Sequence, residues 1–313
     1  MEEKKDILSL DRFSSQEIYD FLKQTDSFAE ILKRDVKKVP ALRGKTIINL
    51  FFEPSTRTKV SFEIAAKRLS ADVINFSPSS SSLKKGESEI DTLKTINSMK
   101  IDLVVIRHPD SGYVNKLAKN VPVPVINAGD GKHEHPTQAL LDLYTIYMNF
   151  HVLEGLKAAI IGDILNSRVA RSDIKLFKKM DMDVTVVAPS MLLPEDFHFF
   201  DVKIKDNIDS VISEVDVLYM LRMQFERQDK KFYPSVREYH KFFSLNYERM
   251  SRMKGNSIVM HPGPVNRDIE ITSEIMDMKE ADKSRIKIST QVTNGVAVRM
   301  ALLYYALGAE KFI

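Results

Sequence analysis

The 313-residue sequence has no cysteine, little net charge and no long apolar run, and each of these features excludes a class of function. A chain without cysteine forms no disulfide, thiolate metal site or iron–sulfur cluster and uses no cysteine nucleophile, which fits a reducing compartment. The 46 Lys and Arg residues nearly balance the 43 Asp and Glu residues, so the net charge of +3 does not indicate a nucleic-acid or membrane surface. No stretch approaches the ~18 apolar residues of a membrane span. We therefore expect a cytoplasmic protein that binds neither nucleic acid nor membrane.

Several sequence motifs of cofactor and nucleophile chemistry are also missing. No G-x-G-x-x-G follows a predicted strand, and the phosphate-binding pattern G-x-x-x-x-G-K-[ST] does not occur. The G-x-S-x-G pattern of serine hydrolases is absent too. His133 and His135 are close in sequence, but no third ligand with metal-site spacing follows them. The sequence therefore predicts a site without a cofactor, a metal ion or a covalent nucleophile.

Short apolar runs alternate with longer amphipathic stretches from Lys45 onward, a pattern typical of parallel sheets flanked by helices. The predicted strands are residues 46–51, 72–76, 103–107 and 123–127 in the first half and 157–161, 183–187, 217–221 and 257–260 in the second. The helix after the first strand is predicted to pack on the sheet through Val60, Ile64 and Leu69. Chain length and repetition predict two α/β domains. The first comprises residues 1–149 with a returning C-terminal helix in 292–313, and the second comprises residues 150–291.

Polar and cationic side chains follow the predicted strands of the first half, at the sheet edge where ligands of α/β proteins bind. Ser55, Thr56, Arg57 and Thr58 lie on the first turn of the helix after the first strand. Hydroxyls, an arginine and the amides of a helix N-terminus together favour a phosphate dianion, although a serine cap alone would explain an ordinary helix start. Arg107 ends the third strand and adds a second cation. This edge is thus predicted to bind phosphate.

His135 and Gln138 stand at the start of the long helix that is predicted after the fourth strand. They are about one helical turn apart, so an imidazole and an amide on the same face could bond a carbonyl oxygen and an amine. A capped helix end is the plainer alternative for His135 alone. Because Arg57 and Arg107 are predicted at the same sheet edge, a role of His135 in binding is favoured.

Cations follow the strands of the second half as well. Arg168 comes after the first strand of this half, and Arg222 and Gln224 come after the third. The last strand leads into a proline-rich turn, where the exposed carbonyls of Pro262 and Gly263 could accept a hydrogen bond from a substrate amine. A plain tight turn is the alternative there.

Four segments together resemble the aspartate carbamoyltransferase catalytic chain: Ser55-Thr56-Arg57-Thr58, Lys85-Gly86-Glu87, His135-Pro136-Thr137-Gln138 and His261-Pro262-Gly263-Pro264. The resemblance runs from about Leu8 to the C-terminus. The first and third segments mark the wider carbamoyltransferase family, which includes the ornithine enzyme. The ornithine branch carries a cysteine in an H-C-L-P turn, whereas this chain has His261-Pro262-Gly263-Pro264 and no cysteine.

The resemblance implies transfer of a carbamoyl group from carbamoyl phosphate to L-aspartate in de novo pyrimidine (UMP) biosynthesis. It also implies a role for each matching residue. The phosphate would be held by Ser55, Thr56, Arg57 and Thr58, and Arg107 would bridge the phosphate and the carbonyl. His135 would polarise the carbonyl, and the amine would be bound by Gln138, Pro262 and Gly263. Aspartate would be bound by Lys85, Arg168, Arg222 and Gln224.

The resemblance further implies a homotrimer with active sites shared between subunits. Ser81 and Lys85, in the serine-rich segment 77–88, are similar to loop residues that reach the neighbouring subunit's site. Composition alone indicates a solvated linker here, and Ser80 and Ser82 remain alternatives to Ser81. Regulatory chains or dihydroorotase are partners that some family members have, and the sequence does not decide between them and a trimer that stands alone.

Two other functions remain open. The chain could be a carbamoyltransferase for another amine acceptor such as ornithine, although Arg222 and Gln224 argue against it. It could also be a catalytically silent scaffold subunit, although none of the expected catalytic residues is lost. One departure from the family pattern is Asn166, where relatives often carry His or Tyr, so packing beside the aspartate site is expected to differ.

Overall fold

The computed structural model describes residues 4–76, 86–194, 200–224, 235–279 and 282–308. It divides into two compact units, Met1–Leu141 with Thr293–Ile313 and Asp142–Val292. The helices are α1 (Ser15–Lys33), α2 (Thr56–Arg68), α3 (Glu89–Ser98), α4 (Tyr113–Ala118), α5 (Pro136–Phe150), α6 (Arg168–Lys179), α7 (Val236–Phe243), α8 (Tyr247–Arg252), α9 (Ser273–Met276) and α10 (Ile288–Ala306). The strands are β1 (Thr46–Phe51), β2 (Asp72–Phe76), β3 (Leu103–His108), β4 (Val125–Asp130), β5 (Lys157–Ile161), β6 (Asp183–Val187), β7 (Lys203–Lys205), β8 (Val217–Met220) and β9 (Ile258–Met260).

The first unit contains a four-stranded parallel sheet in the order β2-β1-β3-β4. β1, β3 and β4 are almost completely buried, which explains why β1 and β3 appear in the sequence as nearly continuous apolar runs. β2 lies at the edge of the sheet and is largely exposed. The carboxyl ends of the three buried strands meet at one edge, as expected for parallel neighbours.

The face of α2 that is buried differs from the predicted one. Val60 is 41% exposed, so its predicted contact with the sheet is wrong. The buried positions are Thr58, Phe62, Ala65 and Ala66, with Leu69 directly after the helix. This series follows helical spacing, and its two alanines are small enough for the helix backbone to approach its neighbours closely.

Helix α10 returns to the first unit, as predicted from its apolar face. The Tyr304 ring packs against the Phe28 ring of α1 with 5.6 Å between the ring centres. The Arg299 guanidinium lies 5.2 Å from the centre of the Phe62 ring of α2. The helix begins at Ile288, four residues before the predicted start at residue 292.

The second unit contains a five-stranded parallel sheet in the order β7-β6-β5-β8-β9. Two parallel sheets flanked by helices confirm the predicted α/β fold. The edge strand β7 was not predicted, because its three exposed residues Lys203, Ile204 and Lys205 form no apolar run. Lysines on an exposed edge oppose pairing with a strand of another molecule.

In the part of the chain that the structure describes, none of the helices combines the length and the apolar character that crossing a membrane requires.

Candidate active site

The first turn of α2 carries the predicted phosphate-binding residues, just after the carboxyl end of β1. Ser55 is the N-cap residue, and its carbonyl accepts the first helical hydrogen bond from the Lys59 N–H at 3.1 Å. The Ser55 hydroxyl donates to Thr58 Oγ1 at 3.0 Å and does not cap a first-turn amide. The Ser55 side chain therefore does not compete with an anion for the positive end of the helix dipole. Thr56 and Arg57 are exposed at this end.

Arg107 connects the carboxyl ends of three strands. It pairs in register with Phe51 of β1, and its Nη1 donates to the Ala128 carbonyl of β4 at 3.3 Å. Its Nη2 lies 2.9 Å from Glu53 Oε2. The Arg107 and Glu53 side chains are only 11% and 19% exposed, so their attraction is screened less than that of a surface ion pair. The guanidinium is thus held at the edge where phosphate is predicted to bind.

Buried Asp130 organises the loop that leads to His135. The donors that approach its carboxylate are the Gly112 N–H at 2.7 Å, the Glu134 N–H at 3.0 Å, Asn127 Nδ2 at 3.1 Å and His133 Nδ1 at 3.0 Å. Burial is the largest single effect on the pKa of Asp130 and would raise it, but the hydrogen bonds from His133, Asn127 and the Gly112 N–H, with the charge of His133, together lower it. An ionised carboxylate therefore holds the residues that precede His135.

His135 and Gln138 lie at the start of α5, which follows the same sheet edge. The His135 side chain is 4% exposed, and its Nδ1 lies 3.4 Å from Thr137 Oγ1. Its carbonyl accepts from the Gln138 N–H at 3.0 Å. The first unit thus places Arg107, the α2 terminus and the start of α5 at the carboxyl edge of one sheet.

In the second unit, Gln224 is tied to the loop after β5. Its Nε2 donates to the Asn166 carbonyl at 3.1 Å, and its N–H donates to Asp163 Oδ2 at 3.4 Å. The Asn166 side chain donates in turn to both Asp163 oxygens, at 3.0 and 3.2 Å. The Asn166 side chain therefore holds its own loop through Asp163, while the Asn166 carbonyl and Asp163 Oδ2 fix Gln224 to that loop.

The two predicted aspartate-binding arginines follow neighbouring strands of the second sheet. Arg168 begins α6 after β5 and is 5% exposed, and Ser167 caps this helix by accepting from the Ala170 N–H at 3.1 Å. Arg222 is half-buried directly after β8. Because β5 and β8 pair in parallel, both arginines belong to the same edge of the sheet.

The turn after β9 is held from two sides. Its His261 N–H donates to Gln291 Oε1 at 2.9 Å, and the Gly263 N–H donates to His261 Nδ1 at 2.7 Å. Pro262 and Gly263 are partly exposed within it. Fully buried Glu270 accepts from the Asn266 N–H at 2.6 Å and from the Met223 N–H at 2.8 Å. Glu270 therefore links this turn to the segment that carries Arg222 and Gln224.

Some predicted site residues lie outside the described residues. These are Lys85, Ser81 and its alternatives Ser80 and Ser82, all within residues 77–85. Among the residues that are described, His, Asp and Glu side chains form no group of three or more that could hold a metal ion.

Sequence reasoning missed the carboxylates of the site. Glu53, Asp130 and Glu270 each position a predicted residue or its loop, but none was singled out. Glu53 and Asp130 carried a usable signal, because each follows or ends a predicted buried strand beside glycine, proline or hydroxyl residues. Glu270 carried none, since its partner Met223 is 47 residues away in the chain.

The chain is similar to known proteins over nearly its whole length. Residues 5–148 match the family model "Aspartate/ornithine carbamoyltransferase, carbamoyl-P binding domain", and residues 154–306 match "Aspartate/ornithine carbamoyltransferase, Asp/Orn binding domain". The aspartate carbamoyltransferase catalytic subunit of Halothermothrix orenii is 51% identical over 98% of this chain and 96% of the relative. The corresponding subunit of Campylobacter hominis is 52% identical over 96% of both chains.

Solved structures give the same result. Aspartate transcarbamoylase from Trypanosoma cruzi in complex with carbamoyl phosphate and aspartate has a TM-score of 0.84 and 31% identity, covering 96% of both chains. The same enzyme in complex with N-(phosphonacetyl)-L-aspartic acid has a TM-score of 0.84 and 32% identity, covering 96% of this chain and 95% of that one. These matches confirm the resemblance predicted from the four segments, and the chain belongs to the aspartate/ornithine carbamoyltransferase family.

Proposed function

We propose that this chain is an aspartate carbamoyltransferase catalytic chain that acts in de novo pyrimidine (UMP) biosynthesis. It transfers the carbamoyl group of carbamoyl phosphate to the amino group of L-aspartate and releases N-carbamoyl-L-aspartate and phosphate. The main structural support is Arg107, which Glu53 and the Ala128 carbonyl hold beside the N-terminus of α2. A guanidinium next to an uncapped helix start suits a phosphoryl group and has no need of a cofactor.

Carbamoyl phosphate is assigned to residues of the first unit and to the turn after β9. Ser55, Thr56, Arg57 and Thr58 bind its phosphate, and Arg107 contacts both the phosphate and the carbonyl oxygen. His135 donates to the carbonyl oxygen, while Gln138 and the Pro262 and Gly263 carbonyls bind the amine. The phosphate competes with Glu53, whose Oε2 lies 2.9 Å from Arg107 Nη2, for this guanidinium.

The chemistry is assigned to positioning and charge stabilisation. The neutral amine of aspartate attacks the carbamoyl carbon, a tetrahedral oxyanion forms, and the bond from carbon to the phosphate oxygen breaks. The departing phosphate takes the proton of the amine, so no protein base is needed. The two substrates together carry about four negative charges, which repel one another. Five cations reduce this repulsion and stabilise the oxyanion: Arg57, Lys85, Arg107, Arg168 and Arg222.

Aspartate as the acceptor is supported by the second unit. Arg168 and Arg222 stand at one edge of the second sheet, and the side chain of Gln224 is fixed there by the Asn166 carbonyl at 3.1 Å. Two guanidinium groups fit the two carboxylates of aspartate, whereas ornithine presents one carboxylate and a cationic amine.

Domain roles, assembly and location complete the proposal. Residues 1–149 with the C-terminal segment 292–313 form the carbamoyl phosphate-binding domain, and residues 150–291 form the aspartate-binding domain. Three copies form a homotrimer, in which Ser81 and Lys85 of one subunit contribute to the neighbouring site. The absence of cysteine fits a location in the cytoplasm.

The test is release of phosphate from carbamoyl phosphate by the purified protein, first with L-aspartate and then with L-ornithine. We expect release that depends on aspartate and is blocked by N-(phosphonacetyl)-L-aspartate. Release with ornithine alone would keep the phosphate assignments and overturn the assignment of Arg168, Arg222 and Gln224. No release with either acceptor would favour a silent subunit.

A further inference from the structure

A buried polar cluster lies in the second unit apart from the residues assigned to substrates. Its members are Asp142 of α5, Asp173 of α6, Tyr219 of β8 and Gln291 in the first turn of α10, and none is more than 3% exposed. Polar groups buried this deeply are costly unless they bond one another. The hydrogen bonds of this cluster therefore join the elements that carry its members.

Both carboxylate oxygens of Asp142 accept short hydrogen bonds. Tyr219 Oη donates to Oδ2 at 2.7 Å, and Gln291 Nε2 donates to Oδ1 at 2.6 Å. Two donors aimed at one carboxylate favour its ionised form. For Asp173, burial and the charge of Asp142 raise the pKa of the carboxyl well above its usual range.

The Asp142 carboxylate fixes the orientation of the Gln291 amide. An ionised carboxylate only accepts hydrogen bonds, so the NH2 group of Gln291 must face Asp142. The amide oxygen then faces the opposite way, where it accepts from the His261 N–H at 2.9 Å. A reversed amide would place its NH2 group against that N–H. The orientation of one buried amide therefore depends on one buried charge.

We propose that Asp142 and Gln291 are positioning residues that hold the His261–Gly263 turn where its carbonyls bind the carbamoyl amine. The inference rests on the function proposed above, because it assigns the Pro262 and Gly263 carbonyls to carbamoyl phosphate. Neither Asp142 nor Gln291 touches a substrate in this scheme. Their loss weakens binding of carbamoyl phosphate in the ground state and the transition state alike, so KM rises while kcat changes little.

The first variant is Asp142→Asn, which keeps the shape of the side chain but removes the charge that orients Gln291. We expect the KM for carbamoyl phosphate to rise about tenfold, which is the effect of losing one hydrogen bond to a charged group. The kcat should stay within about threefold of the parent value, and the KM for aspartate within about twofold. An unchanged KM for carbamoyl phosphate, or a fall in kcat alone, would overturn the proposal.

The second variant, Gln291→Glu, makes the same interaction depend on pH. The introduced acid, when protonated, donates to Asp142 and accepts from the His261 N–H as the amide does; when ionised, it repels Asp142. The titratable groups around it are Asp142 from α5, Asp173 from α6, Tyr219 from β8 and His261 with Glu270 at the turn after β9. The ratio of the variant's KM for carbamoyl phosphate to the parent's KM at the same pH should be near one at acid pH and should rise as the pH rises. A ratio that stays constant contradicts the proposal, even if Asp142→Asn fails to fold.

Tyr219→Phe is the matched control. It removes a hydrogen bond to Asp142 but leaves the Gln291 link, so we expect a lower unfolding midpoint with a KM for carbamoyl phosphate within about twofold of the parent. An equal rise in KM in this variant would indicate general loosening and overturn the assignment. A parent protein that releases no phosphate with aspartate would overturn the proposed function and this inference together, whereas an active parent with unaffected variants would overturn the inference alone.

Discussion

Arg57 is the exposed cation at the start of α2 on which phosphate binding is expected to depend. Arg57→Ala should lower kcat/KM by about two orders of magnitude or more, because the guanidinium stabilises charge on the leaving phosphate. Phosphate release measures the effect, and the elution volume on gel filtration should not change. Arg43→Ala removes another exposed arginine, from the turn before β1, and should leave turnover as it was. Near-normal turnover in Arg57→Ala would defeat the phosphate assignment.

Asp130 links the stability of the first unit to pH. Its pKa is lowered in the folded chain, so it contributes stability above its unfolded pKa of about 4 and loses it as pH falls through the folded value. Asp130→Asn should therefore cost about 3 kcal/mol at neutral pH, and the difference from the parent should shrink below about pH 4. Urea unfolding at several pH values measures this difference.

The neighbouring surface residue Asp110 provides the control for that series. Asp110 is exposed, so Asp110→Asn should change the unfolding free energy by less than about 0.5 kcal/mol. A parent and an Asp130→Asn variant that differ by the same amount at every pH would show that the Asp130 charge is not what stabilises the loop.

At the scale of elements, the loop between β4 and α5 depends on Gly131. Its φ is +49°, and a Cβ there would lie 2.5 Å from the Ser111 nitrogen and 2.9 Å from the Pro109 carbonyl oxygen. Gly131→Ala should therefore cost more than about 3 kcal/mol, because backbone strain adds to a clash with main-chain atoms.

Gly155→Ala separates these two contributions. Gly155 also has a positive φ, +76°, but nothing lies within 4 Å of a Cβ at that position. Strain alone should cost about 1 kcal/mol there. Equal losses in the two variants, measured by denaturant unfolding, would show that the crowding near Ser111 has no effect.

The structure has the predicted ends for four strands, which are β1, β2, β5 and β6. For buried β1 and β5, an apolar run bounded by polar residues marks a strand of a parallel sheet, whereas β2 has the predicted ends although it is largely exposed. Val60 was misplaced because an apolar residue can stay exposed while alanines on another face of the same helix are buried. Helix α1 was not predicted, although Ser14 and Glu17 form a capping box that marks its start.

Part of the candidate site followed from the sequence for a topological reason. Strand ends of a parallel sheet share one edge, so Arg107 could be placed beside Ser55–Thr58 without coordinates. The supporting carboxylates could not be placed in the same way. Asp142 and Gln291 are 149 residues apart, and no local pattern indicates that they bond.

At the scale of the whole molecule, the proposed trimer makes a prediction about mixed subunits. Lys85→Ala and His135→Ala should each be nearly inactive, because every site lacks one residue. Trimers reassembled from equal amounts of the two variants should recover roughly a quarter of the parent activity. An intact site needs His135 from one subunit and Lys85 from its neighbour, and random assembly gives this combination at about one site in four.

A second mixture serves as the control. Arg57 and His135 are proposed to come from the same subunit, so Arg57→Ala mixed with His135→Ala should recover nothing. Recovery in both mixtures, or in neither, would contradict sites that are shared through the segment containing Lys85.

The return of α10 to the first unit also sets an order of events during synthesis. The strands of the first unit leave the ribosome early, but Phe28 and Phe62 meet Tyr304 and Arg299 only after the whole second unit has been made. At ~5–20 residues per second, this surface stays uncovered for on the order of ten seconds. The nascent chain is then a target for chaperones that hold apolar surface, and the unit that is begun first is the one completed last.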